Sequence, residues 1–301
     1  MAITTVRAKI NGTWHTLTSN GDGTWSATIT APGATSFNLA GGYYNVEVEA
    51  ANDAGTTGTA SASTLDGLKL VVKERVAPII TILSPTSGAY VANSKQPVVF
   101  TVVDESGGSG VDPDSITVKL DNTDVPASTL TKVTITNGYS VTYTPASALS
   151  DGAHTVSIAA SDNDGNAATA KSTTFTVDTI PPTLNITAPA DGLITNAQAL
   201  TVRGTTNDAT SSPVTIKILL NGADQGSVTV GADGSFSKAL TLAEGDNEIT
   251  VTATDAAGKV STVTRTVKLD TSRPTVSAAS IQPNPVDAGK TMVITVTITE
   301  G

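Results

Sequence analysis

Apolar and polar residues alternate along most of this chain with the two-residue period of a half-buried β-strand, and no segment is predicted to be a helix. Three alternating runs share one closing pattern: GGYYNVEVEAANDAG (41–55), DGAHTVSIAASDNDG (151–165) and EGDNEITVTATDAAG (244–258). Each predicts a turn, a strand, and a second turn in which Asn52, Asp162 and Asp255 are followed three residues later by Gly55, Gly165 and Gly258. Glycine accepts a positive φ at such a place with little cost. One more strand follows each turn.

A second pattern opens each repeat. Residues 75–105, 179–208 and 271–300 each read as a proline-bearing linker, a strand, a Pro/Gly turn and a second strand. Pro78, Pro181, Pro182 and Pro274 mark boundaries, because proline cannot donate to a ladder. A third pattern, VRAKING (6–12), ITVKLDN (116–122) and VTIKILLNG (214–222), predicts strands running into hairpin turns. About seven short strands per repeat is the count of an immunoglobulin-like sandwich. The expected fold is therefore all-β: tandem immunoglobulin-like β-sandwich domains in an extended rod.

The three patterns divide the chain into 1–75, 76–178, 179–270 and 271–301. The two middle repeats hold all three patterns. The first begins at the hairpin pattern and lacks the opening strand pair, whereas 271–301 consists of an opening pair alone. Two readings follow. Either the first repeat is a shortened sandwich and the tail a partial further domain, or the tail of one subunit completes the first repeat of the next, since unpaired strand edges seek partners. Head-to-tail donation that does not close gives a fibre.

Composition narrows the function. Thr, Ser, Val, Ala and Gly dominate and aromatics make up only 4%, so the cores must rest on Val, Ile and Leu. A formal charge of −10 with no basic run argues against a nucleic-acid partner. There is no cysteine, so packing alone must hold the domains. No apolar run is long enough for membrane insertion, and the start, MAITTVRAKING, lacks the apolar core of an export signal.

The APADG and proline-rich boundaries, the NG hairpins, the DGTWS and DGSFS turns and the A-x-D-x-x-G close resemble bacterial Ig-like repeats over essentially the whole chain. Such repeats occur in bacterial surface adhesins and in bacteriophage tail proteins. The order of segments is most similar to Ig-like domain proteins of phage tails and related particles from Gram-positive hosts. The resemblance implies a structural or adhesive component of a phage tail or phage-like particle, assembled in the host cytoplasm as part of a homo-oligomer or larger assembly. The alternative is an exported bacterial surface adhesin or filament subunit that polymerises by donating its C-terminal strands.

Residues with catalytic potential are sparse. His15 and His154 each lie in a strand-like alternation with no acidic or nucleophilic neighbour in sequence, and are expected to be surface or edge histidines. There is no G-x-S-x-G elbow. Gly41-Gly42 and Gly107-Gly108 are expected in turns rather than in a phosphate-cradling loop. The chain is expected not to be an enzyme. Calcium is the candidate ligand, because a hard cation needs several loop oxygens. Asp104, Glu105, Asp112 and Asp114 crowd one loop, and Asp162, Asn163 and Asp164 another, although Asp and Asn are also the commonest turn formers.

Trp25 aligns with Phe236 and approximately with Tyr139, as a core position should. Trp14 has no aromatic counterpart in the other repeats. With Tyr43 and Tyr44 it forms a candidate contact set, for cell-surface glycan or for another subunit.

Overall fold

The computed structural model describes residues 1–300; Gly301, the last position of the expected tail, lies outside the described residues. The chain divides into two compact units, one of Met1–Val177 and one beginning at Asp178. The described strands make the fold all-β, with helical geometry confined to three short 3-10 turns.

Within the first unit, the N-terminal part is one antiparallel sheet. Its strands are ordered Trp25–Ser26, Thr13–Ser19, Ile3–Ile10, Glu47–Asn52 and Thr57–Ala60. A separate two-stranded ladder pairs Tyr44–Asn45 with Lys69–Leu70. Val6 and Ala8 are buried on one sheet face, and Tyr44 and Ala62 nearby.

The remainder of that unit is a two-sheet sandwich. One sheet orders Leu130–Ile135, Gly138–Tyr143, Val98–Val103 and Ile79–Ser84. The other orders Thr123–Asp124, Thr117–Leu120, Gly152–Ala159, Lys171–Val177 and Ala89–Val91. Alternate residues of both sheets meet in one core that includes Phe100, Val102, Val141, Val156, Ile158 and Phe175. The second unit repeats this plan. A three-stranded sheet (Thr183–Ala188, Ala199–Asn207, Ser235–Thr241) and a five-stranded one (Leu193–Thr195, Val260–Leu269, Gly245–Thr254, Thr215–Leu220, Ala223–Asp224) enclose Val202, Ile218, Phe236, Ile249, Val251 and Val267.

Local sequence explains the recurring geometry. Ile10 pairs with Thr13, Leu120 with Thr123, and Leu220 with Ala223. The two residues between are Asn11-Gly12, Asp121-Asn122 and Asn221-Gly222, all with positive φ, as a tight hairpin matching the strand twist requires. At the closing turn, the amides of Gly55, Gly165 and Gly258 donate to the carbonyls of Asn52, Asp162 and Asp255.

The opening strands also recur. Ile79–Ser84 is antiparallel to Val98–Val103, Thr183–Ala188 to Ala199–Asn207, and Thr275–Gln282 to Val293–Thr299. In both sandwiches the chain then crosses to the other sheet, where Ala89–Val91 runs parallel to Lys171–Val177 and Leu193–Thr195 parallel to Val260–Leu269. The Thr275–Thr299 hairpin has no covering sheet among the described residues, and every described residue from 271 on is exposed. Its two sides differ. The pairs Ile281–Ile294 and Ala279–Val296 lie on one, and Ser280–Thr295 and Ala278–Thr297 on the other.

Candidate functional site

Trp14 lies on the solvent face of the N-terminal sheet, because Ile3–Ile10 places Val6 and Ala8 inward and Arg7 and Lys9 outward. Lys9 is directly opposite both Trp14 and Glu47, and Arg7 is opposite Glu49. The Arg7 guanidinium stacks 4.4 Å from the centre of the Trp14 ring and pairs with Glu49 at 2.8 Å. Lys9 Nζ is 5.7 Å from the same ring and 3.4 Å from Glu47. The indole stays 39% exposed although two cations fix its position. Beside it lies a depression of about 350 Å³ lined by Asn45, Glu47, Glu49, Thr59 and Thr64 as well as Trp14.

The three candidate aromatics have separate surroundings. Tyr43 is half-buried, with Lys69 Nζ 5.3 Å from its ring. Tyr44 is buried, and its hydroxyl donates to the Ala34 carbonyl at 3.1 Å. Trp25 is half-buried, whereas its repeat counterpart Phe236 is buried in a core.

The structure brings a different acidic group together from the one expected. Asp104 and Glu105 meet Glu74, which belongs to the linker and which sequence reasoning did not single out; their carboxylate oxygens lie within 4.8 Å of one another. Asp104 Oδ2 accepts from the Gly110 amide at 2.7 Å, and one Glu74 oxygen from the Ser109 amide at 2.6 Å. Asp104 Oδ1, Glu74 Oε2 and Glu105 Oε2 are buried with no donor. A hydrogen bond with Glu74, then burial and Asp104, push the Glu105 carboxyl up to about 7. Burial alone would raise Glu74, but the bonds from Glu105 and Ser109 hold it below the usual carboxylate range.

Asp112, Asp114, Asp162 and Asp164 stand outside this group. Asp112 Oδ1 accepts the Asp114 amide at 2.9 Å, and the Asp114 side chain is exposed. Both carboxylate oxygens of Asp162 are bonded to Asn166, at 2.8 Å each. Asp164 Oδ2 accepts from the Thr35 hydroxyl at 2.6 Å and the Glu74 amide at 3.0 Å, and its carbonyl from Lys73 Nζ at 3.0 Å. Asp164 thereby ties the N-terminal part to the sandwich. A second cluster, which the sequence also left unmarked as a group, joins Asp178, Asp208 and Asp255 in the second unit.

His15 lies opposite Ala8 and is half-buried. His154 corrects the expectation of a surface or edge histidine without an acidic partner. It is buried against Phe175, with Nδ1 2.7 Å from Asp121 Oδ2 and Nε2 2.9 Å from the Ser150 carbonyl. Asp121 comes from the hairpin turn of the neighbouring strand, a pairing that periodicity does not reveal. Burial opposes protonation of His154, but the Ser150 carbonyl and the Asp121 carboxylate outweigh it and raise its pKa.

No helix among the described residues is long and apolar enough to cross a membrane. Residues 91–179 match the family model of a bacterial Ig-like domain, and residues 182–271 match that of glucodextranase domain B. The chain is similar to bacillopeptidase F of Bacillus subtilis (strain 168), 32% identical over 129 residues; these are 43% of this chain but only 8% of that protein. Among solved structures it is similar to Clostridium thermocellum CbhA fibronectin(III)-like modules, with 21% identity, 64% of this chain and 94% of that one covered and a TM-score of 0.42. A tetra-tandem repeat in the extending region of a large adhesion protein gives 20% identity, coverage of 98% and 79%, and a TM-score of 0.33.

Proposed function

We propose that the chain is a non-catalytic structural and adhesive segment displayed at a surface, in which Ig-like sandwiches present the Trp14 face of the N-terminal sheet to carbohydrate. The observation that carries this reading is the exposed Trp14 indole on the solvent face of the sheet, with the Arg7 and Lys9 cations at its ring and their partners Glu49 and Glu47 beside it. Aromatic faces stack on the C–H face of a sugar ring, while carboxylates and guanidinium groups bind its hydroxyls. The bacterial Ig-like match over 91–179 supports the module class, which is commonly surface-exposed.

The reading takes two forms. One is a phage-tail or phage-like particle component, which the segment order favours. The other is an exported bacterial adhesin, which the bacterial Ig-like match also suits. Antibody labelling of purified particles and of bacterial envelopes separates them. The carbohydrate contact is tested by co-sedimentation with insoluble Gram-positive cell-wall polysaccharide. The wild-type chain is expected to sediment, and Trp14→Ala to weaken binding at least tenfold with an unchanged melting temperature. A wild-type chain that stays in the supernatant, or a Trp14→Ala chain that sediments equally, overturns the contact.

A further inference from the structure

We propose that the depression beside Trp14 selects a glycan that carries free primary amines, a de-N-acetylated hexosamine chain, over neutral or acidic ones. The proposal rests on the carbohydrate reading of this face and names the class of sugar it takes. What carries it is the charge of the groups that line the depression, set against the charge of those that do not.

Glu47 and Glu49 stand two apart on Glu47–Asn52, so both side chains leave the same face of the sheet, and both line the depression with Trp14. Arg7 and Lys9 do not line it. They lie at the indole ring and engage one oxygen of each carboxylate. Arg7 Nε and Nη2 meet Glu49 Oε1 at 3.0 and 2.8 Å, and Lys9 Nζ meets Glu47 Oε2 at 3.4 Å. The second oxygen of each carboxylate, Glu49 Oε2 and Glu47 Oε1, accepts from no protein donor among the described residues. Lys69 pairs in register with Asn45, at the rim, but its ammonium group is engaged with Asp66 at 2.7 Å. Asn45 Oδ1 accepts the Ala62 amide at 2.8 Å, which leaves the Asn45 amide group to donate to a sugar hydroxyl.

The depression thus offers an aromatic face, two free carboxylate oxygens and no lining cation. An ammonium group on a sugar ring matches that set, because it brings positive charge and three donors. An N-acetyl group brings a carbonyl acceptor and one donor, and leaves a carboxylate oxygen desolvated without a partner. A uronic acid or a phosphate meets the two carboxylates as like charge. The whole chain acts in the same direction: 27 acidic residues against 17 basic ones draw a polycation toward the surface.

The test is calorimetric titration of the full chain at pH 5.5, where the sugar amine is an ammonium ion, with β-1,4-linked hexamers of glucosamine, N-acetylglucosamine and glucose. The glucosamine hexamer is expected to bind about tenfold more tightly than the other two, and to lose at least about threefold in affinity between 20 and 300 mM NaCl. Trp14→Ala should weaken all three. Glu47→Gln and Glu49→Gln together should bring the ratio of glucosamine to N-acetylglucosamine affinity to about one. The salt response of the wild type does not depend on how the variants fold. Equal binding of the three hexamers, lost in Trp14→Ala, overturns the amine preference and leaves the carbohydrate face standing. Binding of none of them overturns the amine class, and co-sedimentation with cell-wall polysaccharide then decides the face itself. A preference that survives in the double variant, or that ignores salt, also overturns the proposal.

Discussion

Residues 1–72 and the sandwich that follows share a hairpin and a closing turn, yet they are held together differently. In the sandwich, two sheets close over Phe100, Val141, Val156 and Phe175, so removing apolar surface from water stabilises it in bulk. The N-terminal part has one five-stranded sheet, with Val6 and Ala8 buried on one face. Beyond it there is only the two-stranded ladder of Tyr44–Asn45 with Lys69–Leu70, and directed polar contacts take the place of a full second sheet. Thr35 and Ser36 are buried, Ser36 bonds the backbone of Val72, and Asp164 receives Thr35, Lys73 and the Glu74 amide. Asn38 reaches the Gly108 carbonyl at 2.7 Å. One strand plan thus tolerates two means of support, a core or an anchorage to a neighbour that has one.

Three substitutions sharpen this contrast. The largest effect is expected from Phe100→Ala, which opens a cavity between two sheets and should cost the sandwich about 3–5 kcal/mol. Val6→Ala should cost about 1–2 kcal/mol, since two methyl groups leave a face that can relax. Chemical denaturation of the full chain measures both, and equal losses would erase the distinction. Next comes Asp164→Ala, which leaves the Glu74 amide without its acceptor and the Thr35 hydroxyl with only the Val72 carbonyl at 3.3 Å, at a cost of about 1 kcal/mol. Limited proteolysis should then cut within 1–73 sooner, while the sandwich keeps its melting temperature; an unchanged cleavage rate would mean that the anchorage contributes little.

The smallest effect is a pH dependence. The folded-state pKa of His154 lies above its ordinary value, so its pairing with Asp121 stabilises fully below about pH 6.5 and fades as pH rises through the raised value. Urea midpoints at pH 5.5 and 8 should differ less in Asp121→Asn than in the wild type. The difference is small because Asp121 is half exposed. An identical pH response in the two chains would show that the pair carries no linkage.

Strand positions, tight hairpins and the closing turn were legible in the sequence because each depends on neighbours within a few residues: alternation sets the strand face, and Asn-Gly permits the positive φ. Groups assembled across the sheets were not. Asp121 meets His154 across 33 residues, and Glu74 reaches Asp104 from a linker. The acid-rich loops drew attention to Asp112 and Asp162, whose oxygens turn out to close their own turns. Trp25 had the spacing of a core residue, but it is only half-buried in a part of the chain whose second sheet has just two short strands, whereas Phe236 is buried between a three-stranded and a five-stranded sheet.

The short parallel strands carry a mechanical consequence. In each sandwich Ala89–Val91 or Leu193–Thr195, near where the chain comes in, lies beside the strand by which it leaves and runs the same way. Tension applied to the two ends of such a module draws these neighbours past each other lengthwise. Their hydrogen bonds then bear the force together, in shear, instead of parting one by one like the teeth of a zip.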